Sequence, residues 1–279
     1  SFYKTDVFSK FFISMLSAGE LSGNLDIVME DLAEYYEQEQ KLKSKIGVIS
    51  IYPSVLIIVS IFTLLSVLFF IKYFQDENNK HLLLAGIFAG LAMLSKYSGA
   101  FIWIGVGLYV ILYRRKEFKN PYMYLTVIIS AVFLLPILIW NINNEFISFT
   151  FHGDRVGFFG EFHPEYFLAE LVGEFGYNNP VNYVLVIISL ISLIKGNKFI
   201  DDMPRRLILC LSLPLIFMFW FFSMTRQILP HWTSPSFILL MLFVAAQLAD
   251  KYEIKEQHLT IPKSIIASVG VLLFTLLIG

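Results

Sequence analysis

Lys96 is the most unusual position in this chain, because it lies between two apolar segments. A lysine within hydrocarbon costs several kcal/mol unless its ammonium reaches the interface, finds a partner or lines a cavity. The neighbouring Ser95 and Tyr97 do not decide which of two environments Lys96 has. Lys96 is therefore either a functional cation in a cavity or a residue at the interface, in a turn between two short helices.

Arg155 is the one Arg or Lys in a long aromatic loop, 142–180, that also contains six acidic residues. A guanidinium can hold a phosphate or a carboxylate through two parallel hydrogen bonds, so Arg155 is a candidate for binding an anionic substrate. The alternative is an ion pair with Asp154 or with one of the nearby glutamates.

A second short loop carries Arg226, His231 and Trp232, with Pro230 and Pro235 around them. Here the indole could stack on a sugar face or an isoprenoid chain, and the guanidinium could hold a phosphate. The alternative is that Trp232 belongs to an aromatic belt and that Arg226 extends its charge to the membrane interface, where both residue types are common.

Other polar groups give weaker signals. His152, Asp154 and His163 are metal-ligand types, but their spacing matches no metal motif, so we expect a polar loop, no metal and no cofactor. Asp201 and Asp202 resemble the paired carboxylates that hold a metal–nucleotide in many sugar transferases, and we interpret them as solvated charges.

The amino-acid composition indicates the class of protein in which these residues lie. Of 279 residues, 57% are hydrophobic and 15% are charged, whereas a soluble domain has about 25% charged residues. The mean hydropathy is +0.68 and the net charge is −1, which excludes a disordered chain and a basic nucleic-acid binder. One cysteine excludes an internal disulfide. The chain is predicted to be an all-α, polytopic membrane protein.

Helical periodicity divides the chain into a charged beginning and an apolar remainder. Residues 1–46 predict a short soluble helical hairpin whose first helix ends at Gly19, followed by a membrane span over about 49–71. The spacing of Gly86 and Gly90 is typical of a close-packing helix face, and 164–175 predicts a helix lying in the interface. In all we expect about seven or eight apolar helices, over 49–71, 82–94, 97–113, 121–141, 181–194, 207–224, 235–249 and 264–279. The last run has 16 residues, fewer than the roughly 20 that cross a bilayer, so we expect a fragment.

Basic residues predict the topology, because positive loops stay in the cytoplasm. Loops 114–120, 195–206 and 250–263 are expected inside, and loops 142–180 and 225–234 outside. Counting back from there places 1–46 outside if both 82–94 and 97–113 cross the membrane. The five lysines of the hairpin favour the inside instead, so this part of the topology is inconsistent.

The first part of the chain carries the run Met15-Leu16-Ser17-Ala18-Gly19-Glu20-Leu21-Ser22-Gly23-Asn24-Leu25-Asp26, followed by Leu32-Ala33-Glu34-Tyr35-Tyr36. It resembles part of a type II secretion/type IV pilus assembly F domain. We therefore expect a partial F-like domain over 1–72. The resemblance implies an inner-membrane platform protein with secretion or pilus machinery as partner.

The remainder resembles the membrane region of bacterial glycosyltransferases of the dolichyl-phosphate-mannose–protein mannosyltransferase-like type (GT-C superfamily). The resemblance is carried by Ala85–Tyr97, Pro136–Asn141, Phe149–Arg155 and Arg226–Thr233. We expect this region to cover 73–279 in incomplete form. The location implied is the bacterial cytoplasmic (inner) membrane, crossed several times, with the lipid bilayer as partner and no nucleic acid.

This second resemblance implies transfer of a sugar from a polyprenyl-phosphate carrier to an acceptor on the outer side of the membrane. Basic residues would hold the departing phosphate (Lys96, Arg155, Arg226), and three others would orient the substrate (Asn141, His231, Trp232). The family's catalytic acid lies in an external loop that nothing here matches, so no residue is assigned as catalytic base and activity stays open. The alternatives are a secretion or pilus platform and a fusion with neither activity.

Overall fold

The structure is a computed structural model that describes residues 9–148, 150 and 161–253, with the backbone alone for 46–53 and 251–253. Within these ranges the chain forms ten α-helices and no strand, which confirms the all-α class. The chain divides into two compact units, Ser1–Ile57 and Ile58–Gly279.

The first unit is a helical hairpin. Its helices are α1 (Lys10–Ser22) and the first part of α2 (Leu25–Asp76). The side chain of Ser9 caps α1 by accepting from the Phe12 amide at 3.2 Å, and Gly23 ends it with φ +74°, a conformation that glycine adopts without strain. The predicted hairpin is confirmed.

The first helix nevertheless continues three residues past Gly19, where the sequence predicted its end. Gly19 is buried within α1, and a Cβ on it would lie 3.0 Å from the Val28 side chain. Its function is to let α1 and α2 approach, and Gly23 makes the turn.

The helices of the second unit follow the last part of α2. They are α3 (Asn79–Ser95), α4 (Phe101–Tyr113), α5 (Pro121–Val132), α6 (Leu135–Asn143), α7 (Pro164–Tyr177), α8 (Pro180–Ile194), α9 (Asp202–Ser223) and α10 (Ser234–Glu253). Short 3₁₀ turns occur at Tyr97–Ala100, Arg115–Lys119 and Pro230–Trp232.

Glycines set the closest helix contacts of this unit. On α3, Gly86 lies against Thr126 of α5, and the Ser130 hydroxyl donates to the Gly86 carbonyl at 2.6 Å. This confirms the close-packing face predicted for Gly86 and Gly90. On α4, a Cβ at Gly105 would lie 2.5 Å from the Leu211 Cα of α9, so these two backbones also touch.

The basic segment 114–119 is tied to the end of α2. Arg114 donates to the Phe74 carbonyl at 2.8 Å and to the Glu77 carboxylate at 3.2 Å, and Lys116 also pairs with Glu77. The hydrogen bond from Lys116 is the main reason that the pKa of Glu77 is lowered. Part of the positive charge that predicted a cytoplasmic loop is thus engaged in ion pairs.

The described helices contain fewer membrane spans than the sequence predicted. Only two are long and apolar enough, the Ser54–Asp76 part of α2 and α9, and the number rises to four if α5 with α6 and α7 with α8 each form one bent span. The expected seven or eight is therefore too high for this part of the chain; the segment 264–279 lies outside it.

Backbone breaks explain the difference. Extended backbone at Lys96 separates α3 from the next helices, and α6 begins with a 41° bend, with Pro136 in its first turn. Asn179 has φ +61° and is followed by Pro180, where α7 and α8 bend by 102°. Hydropathy averages over such breaks, so one apolar stretch can contain two helices too short to span a bilayer.

Candidate apolar cavity with a buried lysine

The break at Lys96 is built by the residues on each side of it. The Lys96 amide still donates to the Ala92 carbonyl at 2.9 Å, but its own backbone is extended, with φ −157° and ψ 136°. The Lys96 carbonyl then accepts from the Gly99 amide at 2.9 Å. A Cβ on Gly99 would lie 2.6 Å from backbone atoms of Ala92 and Met93, so only glycine lets the turn fold back onto α3.

This turn opens into an apolar cavity of about 300 Å³ between α4, α9 and the turn Pro230–Trp232. Its walls are mostly aromatic, with the Phe219 ring 5.5 Å from the Trp232 ring and 6.2 Å from the Phe101 ring. The lining residues are Lys96, Tyr97, Ser98, Phe101, Met218, Phe219 and Trp232. The structure therefore brings the predicted residues Lys96 and Trp232 to one cavity.

Lys96 is the cation of this cavity. Its ammonium nitrogen is buried and has no hydrogen-bond partner among the described residues, and the same holds for the Ser98 hydroxyl. Burial lowers the pKa of Lys96, because desolvation disfavours the charged form. A buried ammonium that pairs with no carboxylate of the described residues favours an anionic ligand.

His231 lies within electrostatic range of Lys96. Burial lowers the pKa of its imidazole, and the positive charge of Lys96 lowers it further. The neutral ring, which can donate and accept hydrogen bonds, is therefore favoured at neutral pH. The Tyr177 ring of α7 lies 5.7 Å from it.

Helix α7 holds the turn Pro230–Trp232 in place. A Cβ on Gly173 would lie 2.2 Å from Cγ of Pro230, so the turn packs directly on the α7 backbone. Next to this contact, the Trp220 indole of α9 donates to the Glu174 carboxylate at 2.9 Å. These contacts fix the loop that presents His231 and Trp232.

Sequence reasoning missed the inward orientation of two glutamates on α7. Glu170 and Glu174 are buried, whereas Leu168 and Val172 are 60% and 71% exposed. The sequence predicted only a helix lying in the interface over 164–175. The i, i+4 spacing of the glutamates was the available signal, because a helix in lipid directs apolar residues outward and carboxylates toward protein.

The other predicted site residues lie apart from the cavity walls or outside the described residues. Arg226 follows α9, and its amide donates to the Phe222 carbonyl at 3.0 Å. Asn141 is buried on α6, where its side-chain amide donates to the Ile137 carbonyl at 2.9 Å. Arg155 lies outside the described residues, together with His152 and Asp154. Their roles stay predictions.

The remaining polar candidates form local pairs. His163 contacts the Glu165 carboxylate at 2.8 Å, and no group of three metal-ligand side chains occurs in the described ranges. Asp202 pairs with Arg205 at 2.7 Å and with Arg206 at 3.5 Å, which agrees with its interpretation as a solvated charge.

Comparison with known proteins finds two families that match successive parts of the chain. The family model "Type II secretion system (T2SS), protein F" matches residues 1–71, and "Dolichyl-phosphate-mannose-protein mannosyltransferase" matches residues 51–140. The chain is similar to two families in succession. The two matches overlap over 51–71, within α2.

Individual relatives support the first match. The chain is 49% identical over 55 residues to type II secretion system protein F of Vibrio cholerae, which is 20% of this chain and 14% of the relative. It is 40% identical over 55 residues to type IV pilus assembly protein PilC of Myxococcus xanthus, covering 20% and 13%. The chain thus spans about a seventh of the length of these relatives. No solved structure gives a significant match.

The second match contains the buried lysine but not the rest of the candidate site. Lys96 lies inside 51–140, whereas Asn141, Arg226, His231 and Trp232 follow it. Together with the apolar helices, the two matches indicate a membrane protein with a secretion F-like beginning and a glycosyltransferase-like continuation.

Proposed function

We propose that the second unit binds the phosphate of a polyprenyl carrier and acts as a glycosyltransferase-like module in the bacterial inner membrane. The observation that carries this proposal is the buried Lys96 ammonium at an apolar, aromatic cavity. A lipid phosphate supplies a negative charge for the lysine and an apolar chain for the cavity, neither of which comes from the described residues.

The chemistry assigned to the site is charge stabilisation at the departing phosphate. When a sugar leaves its carrier, negative charge develops on the phosphate oxygens, and a nearby cation in a dry site stabilises that charge. Lys96 would provide this cation. His231 and Trp232 would orient the sugar or the isoprenoid chain, and Arg226, Arg155 and Asn141 remain assigned as predicted from the resemblance.

A transfer assay with a polyprenyl-phosphate-linked sugar as donor tests this function. We expect Lys96→Gln to lower transfer at least about tenfold, whereas Lys80→Gln, an exposed lysine at the other end of α3, leaves it unchanged. Unchanged transfer in Lys96→Gln contradicts the proposal. Unchanged transfer in both Arg155→Ala and Arg226→Ala removes those two residues from it.

A second candidate function is an inner-membrane platform for a secretion or pilus machine. It is favoured by the 49% identity of the N-terminal part to a type II secretion system protein F. The exposed apolar residues Leu21 and Leu42 of the hairpin, 88% and 58% exposed, are available to a protein partner.

Co-purification with secretion or pilus ATPase components tests the platform function. We expect retention by the full chain and loss in Leu21→Asp, with Glu20→Gln, the exposed neighbour, as control. If Leu21→Asp retains the partner as well as the wild type does, the hairpin is not the docking surface. Failure of both the transfer and the co-purification assays indicates a fusion with neither activity.

A further inference from the structure

A second apolar groove runs along α9 from Arg206, near the start of the helix, to Phe217. It has a volume of about 380 Å³ and runs between α4 and α9. Its walls include Leu108 and Tyr113 of α4 and Leu209, Leu213 and Phe217 of α9, with Arg206 at one end. The Lys96 cavity instead uses Met218 and Phe219 of α9, and the two sites share no lining residue.

The groove has the length of one bilayer leaflet. Arg206 and Phe217 are 11 positions apart on one helix, which corresponds to about 16 Å at 1.5 Å per residue. Half of the hydrocarbon core of a bilayer is about 15 Å thick. Because α9 is a candidate span, a chain lying in this groove would extend from the membrane surface to the midplane.

The Arg206 end of the groove is positively charged. The Arg206 side chain is 43% exposed, and its guanidinium lies 4.9 Å from the centre of the Tyr113 ring. Arg206 shares the carboxylate of Asp202 with Arg205, which makes the shorter contact, 2.7 Å against 3.5 Å.

Both segments that adjoin this end add positive charge. Segment 195–206 leads into the start of α9 and has four basic and two acidic residues. Segment 114–119 follows the end of α4 and has four basic residues and one acidic residue. Such clusters beside a membrane helix attract anionic lipids.

We propose that this groove binds one anionic phospholipid, with an acyl chain along α9 and the headgroup phosphate at Arg206. Each basic residue near a membrane surface strengthens the binding of an anionic lipid about fivefold. The groove walls make the site specific, because Leu213 and Phe217 contact the chain while Arg206 contacts the phosphate.

Native mass spectrometry of the purified full chain tests this site. Phosphatidylglycerol and phosphatidylcholine are added separately to the delipidated protein in detergent. We expect more phosphatidylglycerol than phosphatidylcholine to be retained, and about fivefold less phosphatidylglycerol in Arg206→Gln. Lys195→Gln removes one charge from the same end outside the groove, so it should lower retention less than Arg206→Gln does.

Filling the groove provides an independent test. Leu213→Trp should lower retention of phosphatidylglycerol, and Leu213→Phe repeats the test with a smaller addition if the tryptophan lowers the thermal midpoint of the lipid-free protein. Equal retention in Arg206→Gln and wild type, equal retention of the two lipids, or a dimer that Leu213→Trp dissociates would each overturn the proposal.

Discussion

The lowered pKa of Lys96 predicts that both stability and ligand binding depend on pH. Because burial lowers its pKa, the folded protein releases the proton at a lower pH than the unfolded chain does. Between those two values the unfolded state binds more protons, so the ligand-free protein gains stability as the pH rises toward 10.5. Binding of a lipid phosphate should decrease over the same interval, because the neutral amine no longer attracts it.

Thermal unfolding against pH checks this sign. We expect the alkaline gain in thermal midpoint to be present in the wild type and absent in Lys96→Met, which has no titrating group. Lys96→Arg should keep phosphate binding at pH values where the wild type has lost it, since the guanidinium stays charged. A wild-type profile that matches that of Lys96→Met would show that this lysine is not shielded from water.

The indole of Trp220 is expected to contribute to stability through a single hydrogen bond. Trp220→Phe keeps an aromatic ring but removes the donor to the buried Glu174 carboxylate, and we expect it to lower the free energy of unfolding by about 1–3 kcal/mol. Denaturant unfolding in micelles measures this change. The matched control is Trp140→Phe at a half-exposed position, for which a change below about 0.5 kcal/mol is expected; equal effects would contradict the role of the bond.

At the level of elements, α7 is predicted to set the position of the turn that carries His231 and Trp232. Gly173→Ala places a methyl group 2.2 Å from Cγ of Pro230, so the turn must move. We expect a loss of about 1–3 kcal/mol in stability and weaker binding of polyprenyl phosphate, measured by thermal unfolding and by native mass spectrometry.

Gly176→Ala is the matched control on the same helix. A Cβ at Gly176 meets nothing within 4 Å, and alanine favours the helix, so stability should be unchanged or higher. If Gly173→Ala behaves in the same way as Gly176→Ala, the contact between α7 and Pro230 does not position the turn.

The sequence predicted where helices lie better than it predicted which side of a helix is buried. Helical spacing indicated the hairpin, and Gly86 with Gly90 indicated a packed face, because both are local patterns. The orientation of α7 depended on what surrounds it: Glu170 and Glu174 are buried, with Glu174 bonded to Trp220 of α9, and Leu168 and Val172 are exposed. An amphipathic helix has the same periodicity in either orientation, so periodicity alone could not decide this.

At the scale of the whole molecule, topology is the main open prediction. After Cys210→Ala, which removes the single native cysteine, cysteines are introduced at Ser22 and Ser148 and labelled with an impermeant maleimide. We expect Ser22→Cys to react from the cytoplasmic side and Ser148→Cys from the outer side, because basic loops stay inside. Reaction of both from one side would contradict the topology.

The number of membrane spans shows where sequence reasoning reached its limit. Composition was sufficient to predict an all-α membrane protein, but counting apolar segments gave too many spans. Lys96 and Asn179 interrupt helices through their backbone angles, and such angles depend on local contacts, such as that of Gly99 with Ala92, that no composition average contains. The same break that reduced the count exposes Lys96 to the cavity.

Binding of polyprenyl phosphate itself tests most directly whether Lys96 holds a lipid phosphate. Undecaprenyl phosphate is titrated into the wild type, Lys96→Gln and Lys80→Gln, and bound lipid is counted by native mass spectrometry. We expect saturable binding of one molecule by the wild type and by Lys80→Gln, and at least about fivefold weaker binding by Lys96→Gln. Equal binding by all three proteins would contradict the assignment of the buried lysine to a lipid phosphate.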